Sequence, residues 1–519
     1  MAAVSLWRAP YHLWRLGRTG ATFQRTGALT EILDALEVRG WRRSIVRAFA
    51  VPVGIFGRQG DPSLPPVARA LQAMGPAYVK FGQVLSTRRD IVGDELVAQL
   101  RYLQDRLPPF SMEDARAEIE SELGSRIWDK IGDLGKPVAA ASIAQVHAAT
   151  WLPTGERVAV KVLRPGVRRQ FRRDIAAFHF IARMIERLVP MSRRLRPNAV
   201  VSHFESVVNA ELDLRLEAAA ASEYRENTEK DTALRIPTIQ WDGTARRVLT
   251  MEWLDGTAME PVALGQAGHD LTALAQHVLR TFLRHALRDG FFHADMHQGN
   301  LRVAENGDLV LLDFGIMGRL DPITRRHYAE ILHGFLTRNY RRVAEVHFEA
   351  GYVPPDQDVE AFAQALRAIG EPIFDQDASQ ISMARVLAYL LETTERFGMA
   401  TRTELILLQR TMVVVEGVAR TLDTEANIFE AARPVVEDYI RDALGPRALA
   451  RDAGETLRIL SRLGPRLPGL AREALMLVEE ARTRRARPAE QEQPDVPTWR
   501  WIALGAVLGG LAVYLYQVL

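Results

Sequence analysis

The 519-residue chain contains no cysteine, which excludes disulfides, thiolate catalysis and cysteine-ligated zinc or iron–sulfur centres. Lysine is almost as scarce, with five among 66 lysines and arginines: Lys80, Lys130, Lys136, Lys161 and Lys230. Arginine serves wherever a generic positive charge suffices. Two of those that remain, Lys80 and Lys161, are read as sites for a compact ammonium where a broad guanidinium fork does not fit, and Lys130, Lys136 and Lys230 as ordinary surface lysines. With a net charge of +2 and no basic stretch interleaved with aromatics, no nucleic-acid partner is expected. Apart from His293 and His297, read as scaffolding of one loop, the histidines show no metal-ligand spacing. Residues 1–30 have no continuous apolar core, so no secretory signal peptide is expected. Their Arg8, Arg15, Arg18 and Arg25, with Trp7, Tyr11 and Trp14, fit either an amphipathic surface helix or a transit peptide. Heavy arginine usage favours the first, in a bacterial protein.

What is present concentrates in one stretch. Gly290-Phe-Phe-His293-Ala-Asp295-Met-His-Gln-Gly-Asn300-Leu is followed, after a hairpin at Asn306-Gly307-Asp308, by Leu312-Asp313-Phe314-Gly315. The order suits phosphoryl transfer: Asp295 can accept a hydroxyl proton or orient the attacking group. Asn300 and Asp313, the latter at a strand end, can hold a divalent metal against a nucleotide's phosphates. Lys161 lies in the alternating run Arg157-Val-Ala-Val-Lys161-Val, placed to reach the α/β phosphates. A phosphate-reaching lysine needs a carboxylate, and the segment Glu211-Leu-Asp213-Leu-Arg-Leu-Glu217 offers candidates. On one continuous helix Glu211 and Glu217 lie about 240° apart. Two acids on different faces therefore suit two separate pairs, with Lys80 and Lys161; a solvated acidic face is the plainer alternative. No Gly-x-Gly-x-x-Gly precedes Lys161. The run Ala139-Ala140-Ala141-Ser142-Ile143-Ala144 stands there instead, and its Cβ atoms restrict how backbone approaches phosphates.

Taken together, these residues resemble the UbiB-like atypical kinases, also called the aarF-domain or ADCK family. Lys80-Phe-Gly82-Gln83, Ala139–His147, Val158–Val162, Glu211-Leu-Asp213, Glu217-Ala, Met251-Glu252-Trp253, His293–Asn300 and Asp313-Phe-Gly315 carry the likeness. It implies Mg²⁺ with ATP or ADP, slow lipid-sensitive ATPase activity, and support of isoprenoid quinone synthesis, especially ubiquinone, from a membrane-bound position. It implies that Lys80 pairs with Glu211, that Lys161 pairs with Glu217, and that Met251 to Trp253 face the adenine. Asp213 is carried among the catalytic residues with Asp295. Met296 and Gln298 replace two prolines usual in the family's loop, and Ala220 replaces an asparagine. No Ala-Pro-Glu follows Asp313, so activation-loop phosphorylation is not expected.

The fold expected is α+β, a bilobal kinase-like body with an N-terminal helical extension and one C-terminal transmembrane helix. Its parts are 1–66, an arginine-rich helical segment; 67–125, an extension bearing Lys80; and 126–258, the β-rich lobe. The helical lobe covers 259–480, a linker 481–498, and the span 499–519. Trp501–Leu519 carries no charge and is long enough to cross a bilayer, with Trp499, Trp501, Tyr514 and Tyr516 near its ends. Arg482, Arg484, Arg485, Arg487 and Arg500 upstream would keep the catalytic part in the cytoplasm, at a bacterial inner membrane. A buried soluble helix is the other reading of that run. Gly505 and Gly509 suit either a helix dimer or a simple glycine-rich span. Expected partners are nucleotide, membrane lipid or quinone precursors, and other quinone-biosynthesis enzymes. Two further functions remain open: a small-molecule phosphotransferase of the aminoglycoside or choline kinase type, and a non-catalytic scaffold switched by nucleotide.

Overall fold

A computed structural model describes residues 9–35, 54–86, 89–100, 102–103, 108–141, 143–188, 196–374, 389, 392–393, 396–399 and 403–444. Packing divides the chain into Met1–Ile440 and Arg441–Leu519. The linker and the apolar run Trp501–Leu519 lie outside the described residues. Among the described residues no helix is long and apolar enough to cross a membrane.

Among the described residues the first helices are α1 (Ala9–Thr26), α2 (Ala28–Ala35), α3 (Pro66–Met74), α4 (Pro76–Leu85) and α5 (Arg89–Leu100). Pro66 and Pro76 open α3 and α4, where a missing N–H costs nothing. Between them Gly75 takes φ 111°, a backbone that a side chain would strain. Helix α4 packs through its aromatics on α7 (Val167–Leu188) and α8 (Pro197–Glu211), which follow the sheet. Phe81 stacks on Phe178 at 4.8 Å and meets Phe204 edge-on at 5.1 Å. Lys80, next to Phe81, is thereby carried to the C-terminal end of α8.

The first sheet is antiparallel and holds β1 (Ile131–Gly132), β2 (Pro137–Ala140), β3 (Ala144–Trp151), β4 (Glu156–Leu163) and β6 (Val248–Glu252). Alternation along β4 puts Val158, Val160 and Val162, all fully buried, on one face with Ile119 of α6 (Met112–Leu123). Lys161 therefore projects from the opposite face. Helix α6 was expected within the N-terminal extension. It packs on this sheet instead, and Arg247 ties it down through Glu118 and, at 2.7 Å, Glu122.

The one continuous helix considered for Glu211 to Glu217 is two helices, α8 and α9 (Leu214–Asn227). Asp213 ends one and caps the other, its carboxylate accepting the Arg215 N–H at 3.3 Å. The 240° between Glu211 and Glu217 consequently has no meaning here. The segment Thr238–Trp241, whose sequence reads as a strand, makes only one bridge, Ile239 with Met251. Pro237 has no N–H to give, and the Thr238 N–H goes to the Glu252 carboxylate. A strand forms earlier instead, β5 (Leu234–Arg235), parallel to β10 (Leu309–Leu311).

The second sheet has the order β5–β10–β9–β7, with β7 (Thr257–Ala258), β9 (Leu301–Val303) and β10 (Leu309–Leu311). The hairpin between β9 and β10 turns at Gly307, φ 90°. β8 (Phe291–His293) pairs separately with β11 (Met317–Arg319). The helices around them are α10 (Pro261–Gln266), α11 (Leu271–Arg284), α12 (Pro322–Leu336), α13 (Tyr340–Glu349), α14 (Val359–Phe374), α15 (Thr403–Leu422) and α16 (Ile428–Leu444).

Candidate active site

Lys161 reaches three carboxylate oxygens from its place on β4. Its ammonium lies 2.7 and 2.9 Å from the two oxygens of Glu217 and 3.1 Å from Oδ2 of Asp313. Its side chain is 14% exposed and that of Glu217 8%, so both charges sit away from water, whereas Asp313 stays 43% exposed. Burial pushes the Glu217 carboxyl up to about 7, against the pull of the Lys161 ammonium. Burial also works against the charge on Lys161, but Asp313 and Glu217 outweigh it and hold that pKa above its ordinary value. Asp313 moves below the carboxylate range because Lys161 and the Gly315 N–H, at 2.9 Å, overcome its burial.

The loop after β8 is tied to Asp313 through His293, which is 1% exposed. Burial keeps this imidazole neutral, so one nitrogen donates and the other accepts. Nε2–H donates to the Asp313 carbonyl, and Nδ1 accepts the Asp295 N–H at 3.1 Å. The Asn300 amide donates to the Asp295 carbonyl at 3.0 Å, and the Asn300 carbonyl accepts the Leu312 N–H at 3.1 Å. One network thus links Lys161, Glu217, Asp313, His293, Asp295 and Asn300. Lys80 forms the second expected pair, 2.8 Å from Glu211, with side-chain exposures of 15% and 10%.

Other predicted residues serve the frame. Asp213 is held by Arg215 at 2.7 Å and Arg246 at 3.2 Å, so its observed contacts fix the α8–α9 junction. The Glu252 side chain receives the N–H and hydroxyl of Thr238. Met251 is buried on β6, and Trp253 lies under the Arg157 guanidinium at 4.1 Å. Ala139 and Ala140 belong to β2, Ala141 donates to the Ala144 carbonyl at 2.8 Å, and Ile143 accepts the Arg164 N–H at 2.7 Å. These residues therefore make a hairpin tip, with Ser142 outside the described residues. Buried His147 locks its base: Nδ1–H donates to Gly135 at 2.8 Å and Nε2 accepts from Gln145 at 2.9 Å.

Sequence reading missed Thr411 and Thr421, more than a hundred residues from the loop they touch. The Thr411 hydroxyl lies 3.1 Å from the Ala294 carbonyl, and Thr421 accepts the Gln298 amide at 2.8 Å. No motif signals such contacts. Phe314 was quoted for its place in a motif, but not for its packing on His293 and Tyr224.

Residues 102–347 match the model of the ABC1 atypical kinase-like domain, and residues 366–427 that of the UbiB helical domain. A probable protein kinase UbiB of Marinobacter nauticus is 39% identical over 457 residues, 86% of this chain and 83% of that protein. One from Azotobacter vinelandii is 38% identical over 456 residues, with the same coverage. Among solved structures, the complex of Rv3197 with erythromycin from Mycobacterium tuberculosis superposes with a TM-score of 0.50 at 21% identity, over 70% of this chain and 92% of that one. That likeness supports a kinase-like fold of mixed helix and sheet. The relatives' identity, over most of both chains, places the rest: this chain belongs to the UbiB family of atypical kinases.

Proposed function

We propose that this protein is an ATPase or kinase that binds Mg-ATP and Mg-ADP and supports isoprenoid quinone synthesis, ubiquinone above all, from the membrane. The observation that carries the reading is Lys161 held between Glu217 and Asp313, with Asp295 and Asn300 joined to the same network. Lys161 is fixed by Glu217 with its charge secured, and can meet phosphate oxygens in place of Asp313. Asp313 and Asn300 offer two hard oxygen donors across one strand junction. Among the described residues no three His, Asp or Glu side chains gather to hold a metal. Two donors suit Mg²⁺, which takes its other ligands from phosphates and water. Bound there, the ion would neutralise phosphate charge. Asp295, 38% exposed, can accept a proton from the attacking oxygen. The Lys80–Glu211 pair latches α4 to α8. Trp501–Leu519 is proposed as the single anchor, leaving the catalytic part in the cytoplasm.

Titration with ADP and Mg²⁺ tests the site. Lys161→Ala and Asp313→Asn are expected to weaken binding at least tenfold and to remove ATP hydrolysis. Unchanged binding and turnover in both variants would rule the site out. Quinone profiles of a deletion strain carrying wild type or Asp313→Asn test the cellular role, and full restoration by Asp313→Asn would contradict it.

A further inference from the structure

The loop Gly290–Asn300 contains no proline, so its backbone must be restrained by contacts. The peptide unit between Ala294 and Asp295 is bonded on both sides. Its N–H goes to His293 Nδ1 at 3.1 Å, and its carbonyl faces the buried Thr411 hydroxyl at 3.1 Å. That hydroxyl also points to the Leu407 carbonyl one turn back on α15, at 2.8 Å, so one proton lies between two acceptors. Four residues on, the Gln298 amide donates to Thr421 at 2.8 Å. Ten residues separate the two threonines, a rise of about 15 Å along α15. Met296, between the two anchors, is fully buried.

We propose that Thr411 and Thr421 are positioning residues, a two-point clamp by which α15 sets the orientation of Asp295 and, through the Asn300–Asp295 bond, of Asn300. Rotation of the Ala294–Asp295 peptide would swing the Asp295 carboxylate. The clamp opposes that rotation without touching any reacting atom. This inference rests on the proposed role of Asp295 in ATP turnover.

Full-length Thr411→Val, Thr421→Val, the double variant and Thr411→Ser are compared for kcat, KM for ATP, Mg²⁺ half-saturation and thermal midpoint. In the double variant kcat is expected to fall about tenfold, with a weaker Mg²⁺ response, since small misplacements of catalytic groups cost rate. KM for ATP and the thermal midpoint stay close to wild type, and Thr411→Ser keeps the wild-type rate. Undiminished kcat in the double variant overturns the clamp. So does a loss that follows the thermal midpoint and is equal in Thr411→Ser and Thr411→Val. Asp295→Asn separates the two levels. If it hydrolyses ATP at the wild-type rate, the role of Asp295 fails first; if it is inactive while the double variant is unimpaired, only the clamp fails.

Discussion

Lys161 and Glu217 illustrate how a buried pair can be informative even where its net stabilisation is small. Removing one partner of such a pair typically costs about 3–5 kcal/mol, because the other charge is left without compensation. Here the survivor has a way out. Glu217 already has its carboxyl raised to about 7 by burial, so without the ammonium it takes a proton. The sign follows from proton counting. A folded-state pKa above the unfolded value of about 4.5 means the native protein binds more protons, and stability is lost as pH rises toward the folded value. Asp313, with its pKa lowered, contributes a constant amount across neutral pH. Lys161→Met should thus be more stable near pH 6 than near pH 8 by roughly 1–3 kcal/mol in urea unfolding, a steeper slope than wild type. A variant with no such slope would show that Glu217 does not stay buried. The other notable lysine, Lys80, lies in an equally dry pair. Lys130, read as an ordinary surface lysine, pairs with Asp242 in the open. Scarcity alone did not separate these roles; the surrounding motifs did.

Among the elements, the α8–α9 junction matters most, because Glu211 and Glu217 stand on its two sides and serve different lysines. Asp213 makes the break, capping α9 while Arg215 and Arg246 hold its carboxylate. Asp213→Ala is expected to cost about 1–2 kcal/mol of stability, the loss of a cap, and to weaken ADP binding severalfold as Glu217 shifts. Denaturant unfolding and ADP titration measure both, and a variant unaltered in each would make the junction incidental. Periodicity could not find this break, since Leu212 and Leu214 continue an apolar helical pattern. The Leu214 N–H leaves the helical pattern as well, bonding to the carbonyl of Arg246, a residue more than thirty positions away. The hairpin at Asn306-Gly307 was legible because its turn chemistry is local. The lost strand at Thr238 was not, because Glu252 decides it from across the sheet.

For the molecule as a whole, the proposed anchor and the proposed chemistry are separable by truncation. A chain ending at 480 is expected to keep Mg²⁺-dependent ATP hydrolysis within about threefold in detergent-free buffer and to leave the membrane fraction. Membrane recovery of the truncated protein equal to full length would move the attachment to another segment, such as the arginine-rich helix α1. The family and its kinase-like fold were readable along the chain, and so were the residues proposed for the chemistry, because phosphoryl transfer demands particular side chains at particular local spacings. Asp295, Asn300 and Asp313 lie within nineteen residues, and one hairpin brings them together.

By itself the amino-acid sequence determined the family, the residues proposed as the reactive set, and the strand and turn that carry Lys161 and Asp313, since each rests on short-range pattern. Tertiary structure alone decided that Asp213 is a cap held by Arg246, that α6 belongs to the sheet, and that α15 reaches back to the loop at Ala294 and Gln298. Those outcomes depend on hydrogen-bond partners distant along the chain, and a buried polar group accepts whichever partner the packing brings near.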